Sequence, residues 1–291
     1  MPKALSRWYA DVMKQPAAAS ARPASRPCVL IVAGLDPSGG AGLAADQRAV
    51  LSTGAWPCPV CAAVTVQSTA GLVSVHPIDP ALLDAQAREV LRHQPVRAIK
   101  TGALGSESNV RATITLLHDH PSLPAVVDPV VAATRSAGAR LLDSDAVRAQ
   151  LELLSLATVL TPNADEASSL LGKRIRDEAD LADAARDLGA LGAEAVLVKG
   201  GHVRGPRAVD VLYAGGQIHR FSAPRLAVAP FHGGGCTMAS LIAGELAVSG
   251  GKPDREAIVR AVRKAKRTLA RAIHSAARVG HGLLVLPLRG R

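Results

Sequence analysis

The chain has 291 residues, 48% hydrophobic and 20% charged, a globular balance that excludes a disordered or fibrous protein. Only 2% are aromatic, which argues against binding single-stranded nucleic acid by stacking bases on aromatic platforms. Lys plus Arg number 34 against 24 Asp plus Glu, a formal charge of +10 that suits an anionic ligand or a nucleic acid without choosing between them.

Residues Met1–Pro27 end in an Ala/Pro/Ser/Arg stretch, Pro16–Pro27, that reads as a linker. The segment is expected to be a poorly ordered extension, with a targeting peptide as the alternative. A single domain is expected over 28–291. From Cys28 on, apolar strand-like runs alternate with helical patterns. The strands fall at Cys28–Ala33, Pro59–Val66, Ala98–Thr101, Ala125–Val127, Thr158–Leu160 and Ala195–Val198. Helices are expected at Ala41–Thr53, Ala81–Arg92, Ser106–His118, Ser144–Leu154, Ala164–Leu171 and Glu178–Leu191. Continuous apolar strands separated by helices indicate a parallel sheet covered on both faces. Ala208–Tyr213 and Gln217–Ser222 then flank a Gly-Gly turn, a hairpin signal, and two helices follow over Gly235–Val248 and Asp254–Ala277. The expected fold is a doubly wound α/β domain with an antiparallel edge.

Four cysteines are too few for a disulfide framework. Cys58 and Cys61 have C-x-x-C spacing but lie in an apolar strand, where residues three apart face opposite ways; a core role is expected rather than a redox or zinc site. No apolar run reaches the ~20 residues of a membrane span, and the N-terminus has no secretory core. A reducing cytoplasm is the expected compartment.

Ligands of such sheets bind beyond the carboxyl ends of the strands, which selects the loops Gly34–Gly42, Gln67–Gly71, Asp128–Gly138 and Thr161–Glu166 and the turn Gly233–Cys236. Gly40-Ala41-Gly42-Leu43-Ala44-Ala45 matches G-x-G-x-x-A, but the loop is too long and no acid lies between Asp46 and Asp79, so a nicotinamide site is disfavoured. Asp46, one turn into the helix, is expected to face the same mouth. Gly233-Gly234-Gly235 before a helix exposes backbone N–H groups at a positive helix end, which suits an anion. Cys236 sits where the helix dipole favours a thiolate over the ordinary pKa of about 8.5. Asp128 and Glu166 suit Mg²⁺, although Asn163 with Glu166 three residues on equally fits a capping box. The run Arg263–Arg267 reads as a solvated helix face.

These residues resemble a known family. Ala33–Gly42 with Ala45-Asp46, Val64–Thr69, Val127–Val130, Thr161–Asn163 with Glu166-Ala167, Val198–His202, Gly235–Thr237 and Gly280–Gly282 are similar, in order, to motifs of the hydroxymethylpyrimidine/phosphomethylpyrimidine kinases. These are thiamine-pathway members of the ribokinase-like superfamily. The resemblance runs from about Cys28 to Leu288. It implies a three-layer ribokinase-like sandwich that phosphorylates 4-amino-5-hydroxymethyl-2-methylpyrimidine, and then its monophosphate, from ATP with Mg²⁺. Carried over by position, Gly34, Asp46 and Gln67 would hold the pyrimidine. Asp128, Asn163 and Glu166 would organise Mg²⁺, with Lys199 near the nucleotide phosphates. Gly233, Gly234, Gly235 and Cys236 would form the anion hole, Cys236 being the base where most of the superfamily carries aspartate. A homodimer is implied by the same analogy.

Three departures stand out. The family's Thr-His-Gly-Thr-Gly-Cys reads Phe231-His232-Gly233-Gly234-Gly235-Cys236, its Lys-x-Gly-Met-Leu methionine is Ala103, and Arg135 lengthens the loop after Asp128. A vitamin-B6 kinase of the same superfamily and a non-catalytic pyrimidine-binding protein are the alternative readings.

Overall fold

The computed structural model describes residues 25–130, 146–201, 203, 205–226 and 229–289. Strand β1 (Cys28–Leu35) is buried along all but its last residue, as its unbroken apolar run requires for a strand covered on both faces. Its alternate side chains serve two cores. Leu30 and Val32 join one apolar cluster; Val29, Ile31 and Ala33 join another.

Around β1 lie β2 (Trp56–Ser68), β3 (Gly71–Pro77), β4 (Val96–Thr101), β5 (Ala125–Val127), β6 (Val159–Leu160), β7 (Ala195–Lys199), β8 (Arg207–Ala214) and β9 (Gln217–Pro224). Their order is β3-β2-β1-β4-β5-β6-β7-β8-β9. The strands from β2 to β7 run parallel, whereas β3, β8 and β9 are antiparallel to their neighbours. The chain turns back between β1 and β4, which makes that pair the topological switch where ligands of open sheets bind.

The helices are α1 (Gly42–Thr53), α2 (Pro80–His93), α3 (Glu107–Asp119), α4 (Ala146–Ser155), α5 (Ala164–Leu171), α6 (Glu178–Gly189), α7 (Gly234–Ser249) and α8 (Arg255–His274). Side chains of α2 to α6 fill the core on one face of the sheet, and those of α1, α7 and α8 fill the other. Asp79, Ser106, Asn163, Asp177 and Asp254 cap the starts of five of them with side-chain oxygens. The basic run on α8 is not wholly solvated. Lys266 turns in to pair with buried Asp210, and Lys264 reaches Glu245 at 2.9 Å.

Predicted and observed elements agree within a few residues except at β3, which the apolar pattern does not mark. Only Leu72 of its seven residues is buried; backbone pairing with β2, rather than a core-facing stripe, makes it a strand. Cys58 and Cys61 do face opposite ways, Cys58 beside Cys28 in one core and Cys61 against the other, and all four cysteines are free. Burial pushes the Cys58 thiol up to about 12, with Cys28 adding to the shift, so it is an inert core group. Among the described residues no helix is long and apolar enough to cross a membrane. Residues 1–24, Arg135 and His202 lie outside the described residues.

Candidate active site

The loop between β1 and α1 is organised by one buried carboxylate. Asp36 accepts hydrogen bonds from the backbone N–H groups of Ser38 (2.8 Å) and Ala41 (2.9 Å). Burial works to raise its pKa, but hydrogen bonds from His232 and Ser38 hold it below the ordinary carboxylate value. Gly42 opens α1 at φ +54, where a Cβ would lie 2.3 Å from the Gly34 carbonyl oxygen; only glycine fits. Gly34 itself lies beside Ala103, whose carbonyl oxygen would be 3.5 Å from an added Cβ.

Across from this loop, Gly233 takes φ +77 at the start of α7, and a Cβ there would meet the Gly40 carbonyl oxygen at 2.1 Å. No side chain caps this helix, so its first N–H groups are open to an anion. Lys199 Nζ and an Asp128 oxygen would lie 3.1 and 3.8 Å from a Cβ on Gly235. The turn therefore presents backbone donors with an ammonium immediately beside them.

Asp128 is buried at the end of β5, bonded to Lys199 Nζ at 2.9 Å and to the Thr161 hydroxyl at 3.2 Å. Glu166 and Asn163 form the full capping box of α5: the Asn163 side-chain oxygen accepts from Glu166 N–H (2.8 Å) and Glu166 from Asn163 N–H (2.7 Å). Glu166 also belongs to the charged cluster. Burial pushes its carboxyl up to about 7, with Lys199 opposing and Asp128 adding to the rise. Among the described residues no three His, Cys, Asp or Glu side chains form a metal cluster. Two carboxylates straining against each other around one lysine do fit Mg²⁺, which keeps several waters and leans on substrate phosphate.

Asp46 requires a correction. It is fully buried rather than facing the loop mouth, with one oxygen on Lys100 Nζ (2.8 Å) and the other on the Ser240 hydroxyl (2.7 Å). Lys100 was not singled out from the sequence, although a lysine inside the apolar run of β4 was the available signal. It is also fully buried, and despite that burial Asp46 beside it, with Cys236 and Asp128 nearby, raises its pKa and keeps it charged. Helices α1 and α7 are thus joined through Asp46 and Ser240.

The thiolate expectation for Cys236 is also overturned. Burial pushes its thiol up to about 12; Lys100 opposes this, while Asp128 and Asp46 reinforce it. Loss of water, with Asp128 and Asp46 nearby, thus favours the thiol over the thiolate despite Lys100.

Gln67, near the end of β2, lies 2.9 Å from His232 Nε2 and 3.2 Å from the Thr65 hydroxyl. His232, also not singled out, stands 3.0 Å from Asp36 and ties the first loop to the glycine turn. The terminal segment closes this side: the Leu283 N–H donates to the Thr69 carbonyl, and His232 N–H to the Leu284 carbonyl, both at 2.8 Å. A Cβ on Gly282 would lie 2.1 Å from the Thr69 carbonyl oxygen, which accounts for glycine there. Two departures from the family pattern prove to be one. A Cβ on Gly234 would lie 2.6 Å from the Phe231 ring.

Gly34, Gln67, Asp128, Asn163, Glu166 and Lys199 therefore gather with the α7 turn at the carboxyl ends of the strands. This is the fold of the ribokinase-like small-molecule kinases. The Bacillus subtilis pyridoxal kinase, solved as an ADP complex, superposes with a TM-score of 0.80 at 27% identity over 91% of this chain and 98% of that one. The phosphomethylpyrimidine kinase of Clostridium difficile superposes at 0.72 with 30% identity, over 86% of this chain and all of that one.

Residues 36–287 match the phosphomethylpyrimidine kinase family, and the chain belongs to it. The hydroxymethylpyrimidine/phosphomethylpyrimidine kinase of Streptomyces coelicolor is 40% identical over 262 residues, covering 90% of this chain and 94% of that protein. A thiamine biosynthesis bifunctional protein of Geobacter sulfurreducens is 42% identical over 261 residues, 89% of this chain. The chain spans 52% of that relative's length and 30% of a multifunctional relative from Corynebacterium efficiens.

Proposed function

We propose that this protein transfers the γ-phosphoryl group of ATP to the hydroxymethyl oxygen of 4-amino-5-hydroxymethyl-2-methylpyrimidine, and then phosphorylates the monophosphate to the diphosphate, for thiamine biosynthesis. The observation that carries this reading is the convergence of Lys199 and Asp128 on an uncapped, glycine-built helix start beside Cys236. Phosphoryl transfer needs positioning and charge neutralisation more than covalent chemistry, and such a turn supplies both.

In this reading Gly233, Gly234 and Gly235 hold the transferring phosphoryl group on backbone N–H donors. Lys199 binds the nucleotide phosphates, with Asn163 keeping Glu166 and the β7 end in place. Asp128 and Glu166 would hold Mg²⁺, which when bound would supply neutralisation of phosphate charge. Gln67 and the Gly34 backbone hold the pyrimidine. Asp46, both oxygens taken, supports this group by anchoring Lys100 rather than by direct contact. Cys236 accepts the hydroxymethyl proton in its thiolate form, a share that grows with pH.

A vitamin-B6 kinase is the second reading, favoured by the higher TM-score of the pyridoxal kinase, 0.80 against 0.72. The proposal extends to a cytoplasmic homodimer. Val64, Val66 and Val73 stand exposed on the β2–β3 edge, a patch suited to self-association, and free thiols suit a reducing compartment. Incubation with ATP, Mg²⁺ and the pyrimidine, followed by mass spectrometry, should reveal both phosphorylated products. Phosphorylation of pyridoxal but not of the pyrimidine would replace this reading with the second.

A further inference from the structure

The hydrogens around Gln67 can be counted. His232 Nε2 lies 3.0 Å from an Asp36 oxygen, and that carboxylate, ionised and already accepting two backbone N–H groups, can only accept. Nε2 therefore carries a hydrogen. The other ring nitrogen, Nδ1, is sealed from solvent without a partner, so a hydrogen placed there instead would be a buried donor with nothing to receive it.

The Gln67 amide has one end 2.9 Å from the same Nε2 and the other 3.2 Å from the Thr65 hydroxyl. The two ends exchange by a half-turn of the amide, so the hydrogens decide which is which. Facing His232 with the NH₂ group would set donor against donor. It would also require the single Thr65 hydrogen to serve both Gln67 and the Leu35 carbonyl, which lies nearer at 2.9 Å. The reverse orientation removes both conflicts. The carbonyl oxygen shares the Nε2 hydrogen with Asp36, the NH₂ donates to Thr65 Oγ1, and the Thr65 hydrogen goes to Leu35.

One acceptor lone pair and one N–H then remain on Gln67, in a fixed order. His232 directly precedes the glycine turn, so, on the reading that the phosphoryl group sits on that turn, the acceptor end beside His232 is the nearer one and the donor end beside Thr65 the farther. In a pyrimidine whose 5-hydroxymethyl meets that turn, the C4 substituent lies on the near side and N3 on the far side. A 4-amino group with an unprotonated N3 offers a donor then an acceptor, the complement of this order. A 4-oxo ring with N3–H offers the opposite.

We infer that Asp36 and His232 are positioning residues that lock the Gln67 amide so that the site accepts a 4-amino and rejects a 4-oxo pyrimidine. This rests on the reading that Gln67 faces the ring. Two mismatched polar contacts should give a preference of about 10²-fold or more in kcat/KM.

The test compares 4-amino- and 4-oxo-5-hydroxymethyl-2-methylpyrimidine as substrates of the wild type, His232→Phe, His232→Gln and Gln67→Ala. His232→Phe keeps a ring against Gly40 but removes the donor and should cut the preference at least tenfold. His232→Gln returns an N–H and should restore most of it, while Gln67→Ala should lose it. A wild type that uses both rings equally, or a His232→Phe preference unchanged from wild type, would overturn the inference and leave the kinase reading standing. If no pyrimidine is phosphorylated, the kinase reading fails, and calorimetric affinities for the two rings supply the ratio. Should His232→Phe not fold, ¹⁵N NMR of the wild-type imidazole decides: a hydrogen on Nε2 supports the lock, and one on Nδ1 alone refutes it.

Discussion

Phe231 and Gly234 replace the two threonines of the family pattern, and the structure makes each depend on the other. Gly234 lies inside α7 without a positive φ, so its backbone is one that any residue can adopt. What forbids a side chain is the Phe231 ring, with Cε2, Cδ2 and Cζ at 2.6, 3.5 and 3.6 Å from an added Cβ. Ordinary contact begins near ~3.5 Å, so Gly234→Thr must displace the ring by about 1 Å. Overpacking of this kind costs typically about 1–3 kcal/mol, and removing glycine from a helix returns only a few tenths, roughly 0.3–0.5 kcal/mol. Phe231→Thr alone gives up the burial of a partly exposed ring, about 1–2 kcal/mol. Once the ring is gone, the three atoms nearest a Cβ at 234 are gone with it. The double variant should therefore be no less stable than Phe231→Thr, a coupling of about 1–3 kcal/mol. Urea unfolding of the four proteins reads this as midpoint shifts at constant slope. Strictly additive changes, or a Gly234→Thr protein as stable as wild type, would refute the reasoning.

Cys236→Ala, which leaves the backbone donors in place, should lower turnover by roughly 10²–10⁴-fold while ATP affinity, measured by calorimetry, stays near wild type. Because the thiol is pushed up to about 12, wild-type turnover should climb with pH through the alkaline range and the variant should be flat there; a fully active variant would make the thiol mere packing. Glu166, raised to about 7 in the folded protein, binds its proton more tightly folded than unfolded. Its contribution to stability is thus fully present below about pH 4.5 and lost as pH rises through 7. Glu166→Gln keeps an oxygen for the Asn163 N–H, so above pH 7 it should unfold no earlier than wild type yet need more Mg²⁺ for half-maximal turnover. An unmoved Mg²⁺ curve would leave Glu166 as a cap alone.

The alternation of apolar strands with helices was enough to establish the α/β order, because a parallel strand buried on both faces must be continuously apolar. It also placed the ligand loops, since topology gathers the carboxyl ends of such strands on one edge. Glycine demanded by close backbone approach, at Gly42, Gly233 and Gly282, was likewise visible as motif. What tertiary structure alone decided concerns partners far apart in the chain. Asp46 turns inward because Lys100 and Ser240 are there to meet it, and neither pairing has a local signal. Gln67 meets His232 across 165 positions, and His232 meets Asp36 across 196. The state of Cys236 followed the same rule: the helix start was legible, but the carboxylates and the lost water that keep it a thiol come from other elements. Strand β3 forms by pairing on an exposed edge, where burial imposes no pattern. Local sequence carries backbone geometry and periodicity, whereas the charge and hydrogen-bond state of a buried group belongs to whatever the fold brings against it.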